Sequence, residues 1–279
     1  GYRPTAGVIK GSPVDDPRIQ QPTEGPMGRT VADVAMFLGA MLDAPISPLP
    51  SSRSPRAAFS PDLGDLPLDP AVRSAIHQAA EALADAGWEI LEACPDLTGV
   101  DPCFEEIRGF SAALRNAALV DDVRLKATVR YEVNLGLSLS ADRLESAFAA
   151  ERRLRDSWDD FFAGQRFDLL LSATSQVPPF PVGDEWVREI DGTIVEHYTH
   201  WMRSCSRLTV PGGPSMSLPA GFTESGLPIG IQMSGQRNGD QDLLAFAAAA
   251  AEIFGPFPSP DLGALSTTDP TTLPSGPLG

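Results

Sequence analysis

Five groups of side chains in this sequence could do chemistry. Lys10-Gly11-Ser12 would place an amine and a hydroxyl on one side of an extended segment, the geometry of a Ser-Lys pair. The segment is polar and flanked by glycine and proline, so Lys10 is expected to stay solvated and protonated, which disqualifies it as a base. His197 and His200, with Glu196 or Cys205, could share a helix face as metal ligands. Beside Tyr198 and Trp201 they read better as histidines flanking an aromatic wall, and no metal site is assigned. Gly213-Pro214-Ser215-Met216-Ser217 lacks the closing glycine of a nucleophile elbow. Arg29 could hold a substrate carboxylate, although a structural ion pair is the preferred expectation. Thr174, Ser175 and Gln176 follow a continuous apolar run, Asp168-Leu169-Leu170-Leu171-Ser172, that fits a buried strand. Ligands of open α/β sheets gather at the carboxyl ends of strands, which makes these three substrate-binding candidates. Their alternative role is to satisfy the backbone of their own loop. Trp201 and Phe180 would add an apolar, aromatic wall. No catalytic residue is assigned, and no phosphate-binding or dinucleotide-binding glycine pattern implies a cofactor.

The elements that would position these groups alternate between strand and helix. Thr30 stands at a helix N-cap with Asp33 completing a capping box. Val31, Val34, Ala35, Leu38, Met41 and Leu42 follow at helical spacing, with Met36 and Phe37 on the other side. Such an all-round apolar helix is expected to be buried. Gly1 to Gly7 reads as the end of a strand entering a turn. Residues 44–55 form a Pro/Ser connector, and Ala57 to Ser60 a short strand. Asp69-Pro70 then opens a helix that Gly87 closes, before a strand from Trp88 to Leu91. Strand, helix and strand over this length form a βαβ unit.

Between residues 101 and 163 three helices are predicted: Phe104 to Leu119, Val123 to Leu137 and Ala141 to Phe162. On the last, Glu151, Arg152, Arg153, Arg155, Asp156, Asp159 and Asp160 read as a solvated face. Val187 to Val195 suggests a hairpin turning at Asp191-Gly192, and Val195 to Leu208 a helix. Ile229 to Ser234 alternates like a half-buried strand, with glycines at 226 and 230 marking close backbone approach. Asp240 is expected to cap a final helix through Phe254. The fold class is therefore α/β, a mixed sheet flanked by helices on both faces. The domain runs over residues 1–254, and residues 255–279 form an irregular Pro/Ser/Thr-rich tail.

Composition narrows the function classes. A formal charge of −16 on 279 residues argues against nucleic acid and against an anionic membrane surface. No apolar run reaches a membrane-spanning length, and no signal-peptide pattern opens the sequence. Three cysteines without Cys-x-x-Cys spacing fit a reduced, cytoplasmic setting.

Gly1-Tyr2-Arg3-Pro4-Thr5-Ala6-Gly7, followed by Gly25-Pro26-Met27-Gly28-Arg29-Thr30-Val31-Ala32-Asp33, resembles the amidase signature family of Ser-Ser-Lys hydrolases. Asp168-Leu169-Leu170-Leu171, Pro214-Ser215-Met216-Ser217-Leu218-Pro219-Ala220-Gly221-Phe222-Thr223 and Gly226-Leu227-Pro228-Ile229-Gly230-Ile231-Gln232 are similar to its carboxyl-terminal elements, in order. The resemblance runs from Gly1 to about Phe254 and is thin between Asp101 and Leu139. It implies hydrolysis of a C–N bond in a small amide by a serine, a bridging serine and a lysine. In the family these precede the first motif, so the expectation is a carboxyl-terminal part whose triad is missing and which is inactive alone. An exposed apolar edge and poor solubility or self-association would accompany that. The expected partner is a small-molecule amide, with a homodimer left open. A non-catalytic binding module of the same fold, or an amidotransferase A-type subunit with stable partner subunits, remain the alternatives.

Overall fold

The computed structural model describes residues 1–10, 16–46, 51 and 53–258. Gly11 and Ser12 of the Ser-Lys candidate pair, part of the 44–55 connector and residues 259–279 of the tail lie outside them. In chain order the elements begin with β1 (Tyr2–Arg3), α1 (Val31–Leu42), β2 (Arg56–Phe59), α2 (Pro70–Asp85) and β3 (Glu89–Glu92). Next come α3 (Val100–Asn116), α4 (Ala127–Ser138), α5 (Ala141–Gln165), β4 (Leu169–Ala173) and the hairpin β5 (Glu189–Ile190) and β6 (Thr193–Ile194). The last are α6 (Arg203–Thr209), β7 (Ser215–Phe222), β8 (Pro228–Gly235) and α7 (Asp240–Phe254).

Six strands form a mixed sheet in the order β1-β7-β8-β4-β2-β3. β2 runs parallel to both β3 and β4, so β2, α2 and β3 are the expected βαβ unit. The remaining pairs, β4 with β8, β8 with β7 and β7 with β1, are antiparallel. Strand alternation sends side chains to two cores. Ala57, Phe59, Leu169 and Leu171 face α1, α2 and α7 in the larger cluster. Ala58 and Leu170 face Trp158, Phe161 and Phe162 of α5 and Leu208 of α6. A third cluster joins Phe104 and Ile107 of α3 to Phe148 and Leu154 of α5. Helices therefore cover both faces of the sheet.

Local chemistry sets the helix ends. Thr30 and Asp33 form the full capping box, and Asp69 accepts from Ala71 N ahead of the first-turn Pro70. Ser140 caps α5 by accepting from Arg143 N at 3.2 Å. Apart from the segment Val195 to Leu208, the expected helix and strand termini fall within a few residues of those observed.

Several expectations are corrected. α1 is not buried all round: Met36 and Phe37 are 69% and 51% exposed, and neighbouring Met27 is 82% exposed. One stripe packs inward: Val31, Val34, Ala35, Leu38 and Gly39 are buried, and Leu42 is partly buried against the core. Val195 to Leu208 is not one helix. A 3₁₀ turn over His200–Met202 leads into the short α6, and residues 195–199 are not helical. Val195 N instead bonds Arg188 O at 2.9 Å, extending the hairpin. The His197 ring nitrogen Nδ1 meets the Thr199 hydroxyl at 2.9 Å, a local bond that competes with a helical turn.

β8 is buried on both faces from Ile231 to Gly235, because it lies inside the sheet between β7 and β4. Glu151, whose spacing also fits the inward positions with Phe148 and Leu154, is buried, not solvated, beside Arg155, whose Nη2 lies 3.2 Å from Oε1. Asp240 does not cap α7, whose N-cap is Gly239. Its carboxylate turns to the other end of the chain, accepting from the Tyr2 hydroxyl at 2.7 Å and from Thr5 N and Oγ1 at 3.0 and 2.6 Å. Finally, Arg29 is exposed and forms no ion pair among the described residues.

Candidate functional site

The site is built where β4 leaves the sheet. All five residues of β4 are buried, and its ladder to β8 ends at Ala173 opposite Ile231. Thr174 N then bonds Gly230 O at 3.1 Å, and prolines at 178 and 179 prevent the ladder from continuing. The loop that follows bounds a cavity of about 430 Å³ together with Trp201 and the start of β8.

Thr174, Ser175 and Trp201 all line this cavity. The Thr174 hydroxyl lies 2.9 Å from the hydroxyl of Ser217 on β7. Ser175 is turned inward on its own loop: its hydroxyl donates to Val177 O at 2.8 Å and accepts from Val177 N at 3.3 Å. Trp201 meets Phe180 edge to face, ring centroids 5.3 Å apart, and the two close one end as an aromatic wall. The indole N–H of Trp201 is buried with no partner among the described residues.

Gln176 stands behind the cavity, fully buried. Its amide donates to Pro67 O at 3.2 Å and accepts from Arg203 N at 2.9 Å. The second bond satisfies an N–H that the first turn of α6 leaves without a helical partner. Thr174 O accepts from the Ser204 hydroxyl at 3.0 Å and the Cys205 thiol at 3.3 Å. The loop after β4 and the start of α6 are thus laced together, which carries Trp201 into the cavity wall.

Sequence reasoning set Ser217 aside with the incomplete nucleophile elbow and did not bring it to this cavity. Its signal was the glycine at 230: a Cβ there would lie 2.9 Å from Ser217 Oγ and 3.0 Å from Thr174 Oγ1. The absent side chain is what lets the two hydroxyls meet. Ser217 and Gly230 also border an apolar groove of about 840 Å³, walled by Val31 and Val34 of α1, Met216 and Leu218 of β7, and Phe254. Exposed Arg29 lies on the rim of this groove.

An activated hydroxyl needs a base within hydrogen-bond reach. Neither Thr174 nor Ser217 bonds a lysine, histidine or carboxylate among the described residues. Lys126 is held by Glu185, Nζ to Oε1 at 3.0 Å. His197 packs on Tyr131 with ring centroids 4.0 Å apart, while His200 Nε2 lies 3.5 Å from Glu105. Burial holds both imidazoles below their usual pKa, so both favour the neutral form. Among the described residues no three histidine, cysteine, aspartate or glutamate side chains are placed to hold a metal ion.

A family model described as Amidase matches residues 1–244. The chain belongs to the amidase family. It is 27% identical to the A-type subunit of the glutamyl-tRNA(Gln) amidotransferase of Myxococcus xanthus (strain DK1622), covering 89% of this chain and 58% of that protein. It is 26% identical to an acylamidase of Rhodococcus erythropolis, covering 89% of this chain and 56% of that one. Among solved structures, that of an amidase superposes with a TM-score of 0.78 at 22% identity, over 89% of this chain and 56% of its own. A bacterial aryl acylamidase of the amidase signature family superposes at 0.74 and 20%, over 91% and 58%. The fold is thus that of amidase signature enzymes. The chain spans a little over half the length of these curated relatives. Among the described residues no helix is long and apolar enough to cross a membrane.

Proposed function

We propose that this amidase-family chain supplies the substrate-binding walls of a site that hydrolyses a C–N bond in a small amide. In this reading Thr174, Ser175 and Trp201 contact the substrate, Gln176 holds their loop, and the nucleophile and base come from outside the described residues. The observation that carries it is the match to the family over residues 1–244, with Thr174, Ser217, Phe180 and Trp201 around one cavity at the end of β4. A serine hydroxyl is a weak nucleophile without a base, and the Thr174–Ser217 pair has none among the described residues. The adjoining apolar groove is where a further segment carrying such groups would reach Ser217 and Gly230. The mostly apolar and aromatic lining of the cavity suits an apolar or aromatic acyl group.

The test is binding of a small aromatic amide, benzamide, followed by quenching of tryptophan fluorescence. Saturable quenching that disappears in Trp201→Phe is expected. Saturable binding with quenching unchanged in that variant, or no binding, would overturn the assignment of this cavity.

An amidotransferase A-type role is a second reading, favoured by the glutamyl-tRNA(Gln) amidotransferase relatives. It predicts stable partner subunits that co-purify with the chain.

A further inference from the structure

Trp201 reaches the cavity after β4 from a segment that its own backbone holds poorly. The 3₁₀ turn His200–Met202 is three residues long. His200 N bonds His197 O at 3.0 Å and Met202 N bonds Thr199 O at 3.2 Å. Hydrogen bonds of this kind have poorer geometry than those of an α-helix, and side chains three apart eclipse one another. His200 and Arg203 therefore share one side of the turn, while Trp201 leaves it on another, toward Phe180.

The shared side faces α3. A single carboxylate oxygen there, Glu105 Oε1, lies 3.4 Å from the Thr199 hydroxyl, 3.5 Å from His200 Nε2 and 3.6 Å from Arg203 Nη2. Thr199 is buried, and its hydroxyl also meets His197 Nδ1 at 2.9 Å, which ties the preceding segment to the same point. Arg203 has little else to hold it. Its Nε is buried without a hydrogen bond among the described residues and lies 3.4 Å from Asp101 Oδ2. Asp101 is already engaged by Arg207, which donates to its two oxygens at 3.1 and 2.7 Å. Each contact to Glu105 is long for a hydrogen bond, so no one of them fixes the turn. Coulomb attraction falls only as the inverse of distance and still acts at these lengths. Together the contacts at 199, 200 and 203 bracket Trp201 on both sides.

We propose that Glu105 is a positioning residue for the cavity after β4, holding the turn that carries Trp201 so that the indole stands ready as its aromatic wall. The use of that wall in binding rests on the hydrolytic reading proposed above; the placing of Trp201 does not. Without the Glu105 charge the turn samples other arrangements, and only a fraction of the molecules presents the wall.

The test is Glu105→Gln, which keeps the size of the side chain and removes its charge. The emission of Trp201 is read, without ligand, as the difference between the chain and its Trp201→Phe variant, each with and without Glu105→Gln. A shift of that difference spectrum to longer wavelength, from an indole released toward water, is expected; an unchanged spectrum overturns the proposal. NMR titration gives a second readout, since the chain has three histidines, His77, His197 and His200. Glu105 and Asp101 of α3, Arg203 of α6 and Glu196 of its own segment face His200; burial and Arg203 lower its pKa, and the carboxylates raise it. Its titration should move to lower pH in Glu105→Gln, and a titration that stays in place also overturns the proposal. The dissociation constant for benzamide should rise about fivefold in Glu105→Gln, as it would if about a fifth of the molecules kept the wall in place. Asp240→Ala separates this from general destabilisation: it removes bonds between α7 and the start of the chain, none of them to residues 199–203, and should leave emission and affinity unchanged. A comparable loss of affinity in Asp240→Ala would overturn the proposal. Unchanged affinity in Glu105→Gln, with quenching that still depends on Trp201, overturns it and leaves the hydrolytic reading standing. A shifted emission with no benzamide binding supports the positioning role and sinks the hydrolytic reading of this cavity instead.

Discussion

Replacing Gly136 by alanine tests the close packing of α3 against α4. α3 and α4 cross where Gly109 and Gly136 face each other, and a Cβ on Gly136 would lie 2.0 Å from Gly109 O and 2.8 Å from Ala113 Cβ. Ordinary contact begins at 3.4 Å, so the helices must separate by about 1.4 Å. The obstructing atom is backbone and has no rotamer by which to escape. Overpacking of this kind costs about 1–3 kcal/mol. Alanine recovers about 0.5–1 kcal/mol of helix propensity, which leaves a net loss of about 2 kcal/mol at the upper end of that range. For a chain of this size that is a fall in Tm of about 4–8 °C. The separation also strains the Arg108–Glu132 pair, since Arg108 adjoins Gly109 and Glu132 lies one turn before Gly136. Gly164→Ala near the end of α5 is the matched control, because nothing lies within 4 Å of where its methyl would stand. There the propensity gain stands alone, and Tm should rise by up to about 4 °C. Differential scanning calorimetry on both variants decides the matter. An unchanged or higher Tm for Gly136→Ala would refute the close crossing.

Three further outcomes are expected. Gln176→Ala strands Pro67 O and Arg203 N in the interior and should cost about 1–3 kcal/mol by urea denaturation, whatever its effect on ligand binding. Asp240→Ala removes the acceptor of three bonds joining α7 to the first turn of the chain, a loss on the order of 3 kcal/mol measured the same way. Burial lowers the pKa of His197 and His200 from 6.5 in the folded chain, so the unfolded chain takes up their protons first as pH falls. Their contribution to stability is complete above about pH 6.5 and declines below it. Replacing both by glutamine should flatten the fall in Tm between about pH 7.5 and pH 5.5.

Much of this fold was legible because local signals agreed with the tertiary structure. The Thr30–Asp33 capping box, Asp69-Pro70 and Ser140 each mark a helix start by satisfying orphan N–H groups, and those bonds form wherever the helix packs. The run Leu169 to Leu171 read as a buried strand because a strand covered on both faces needs no polar residue. Two of the readings that failed depended on partners beyond the local sequence. Asp240 looks like a cap from its neighbours, but Tyr2 and Thr5, at the far end of the sequence, claim its carboxylate. Glu151 follows the charged pattern of its helix, yet it is buried beside Arg155. The cavity after β4 was foreseeable from strand polarity, and Thr174 and Ser175 do line it. Ser217 was not, because its role depends on a cross-sheet neighbour whose contact opens only through Gly230. Glu105 and Thr199 were hidden for the same reason, being 94 residues apart.

In the proposed function the described residues supply the walls of the binding site, and the nucleophile comes from outside them. The direct measurement is release of ammonia or aniline when the purified chain is incubated with benzamide and acetanilide. The account predicts a rate indistinguishable from buffer, alongside saturable binding. Hydrolysis that a serine-directed inhibitor abolishes would contradict it.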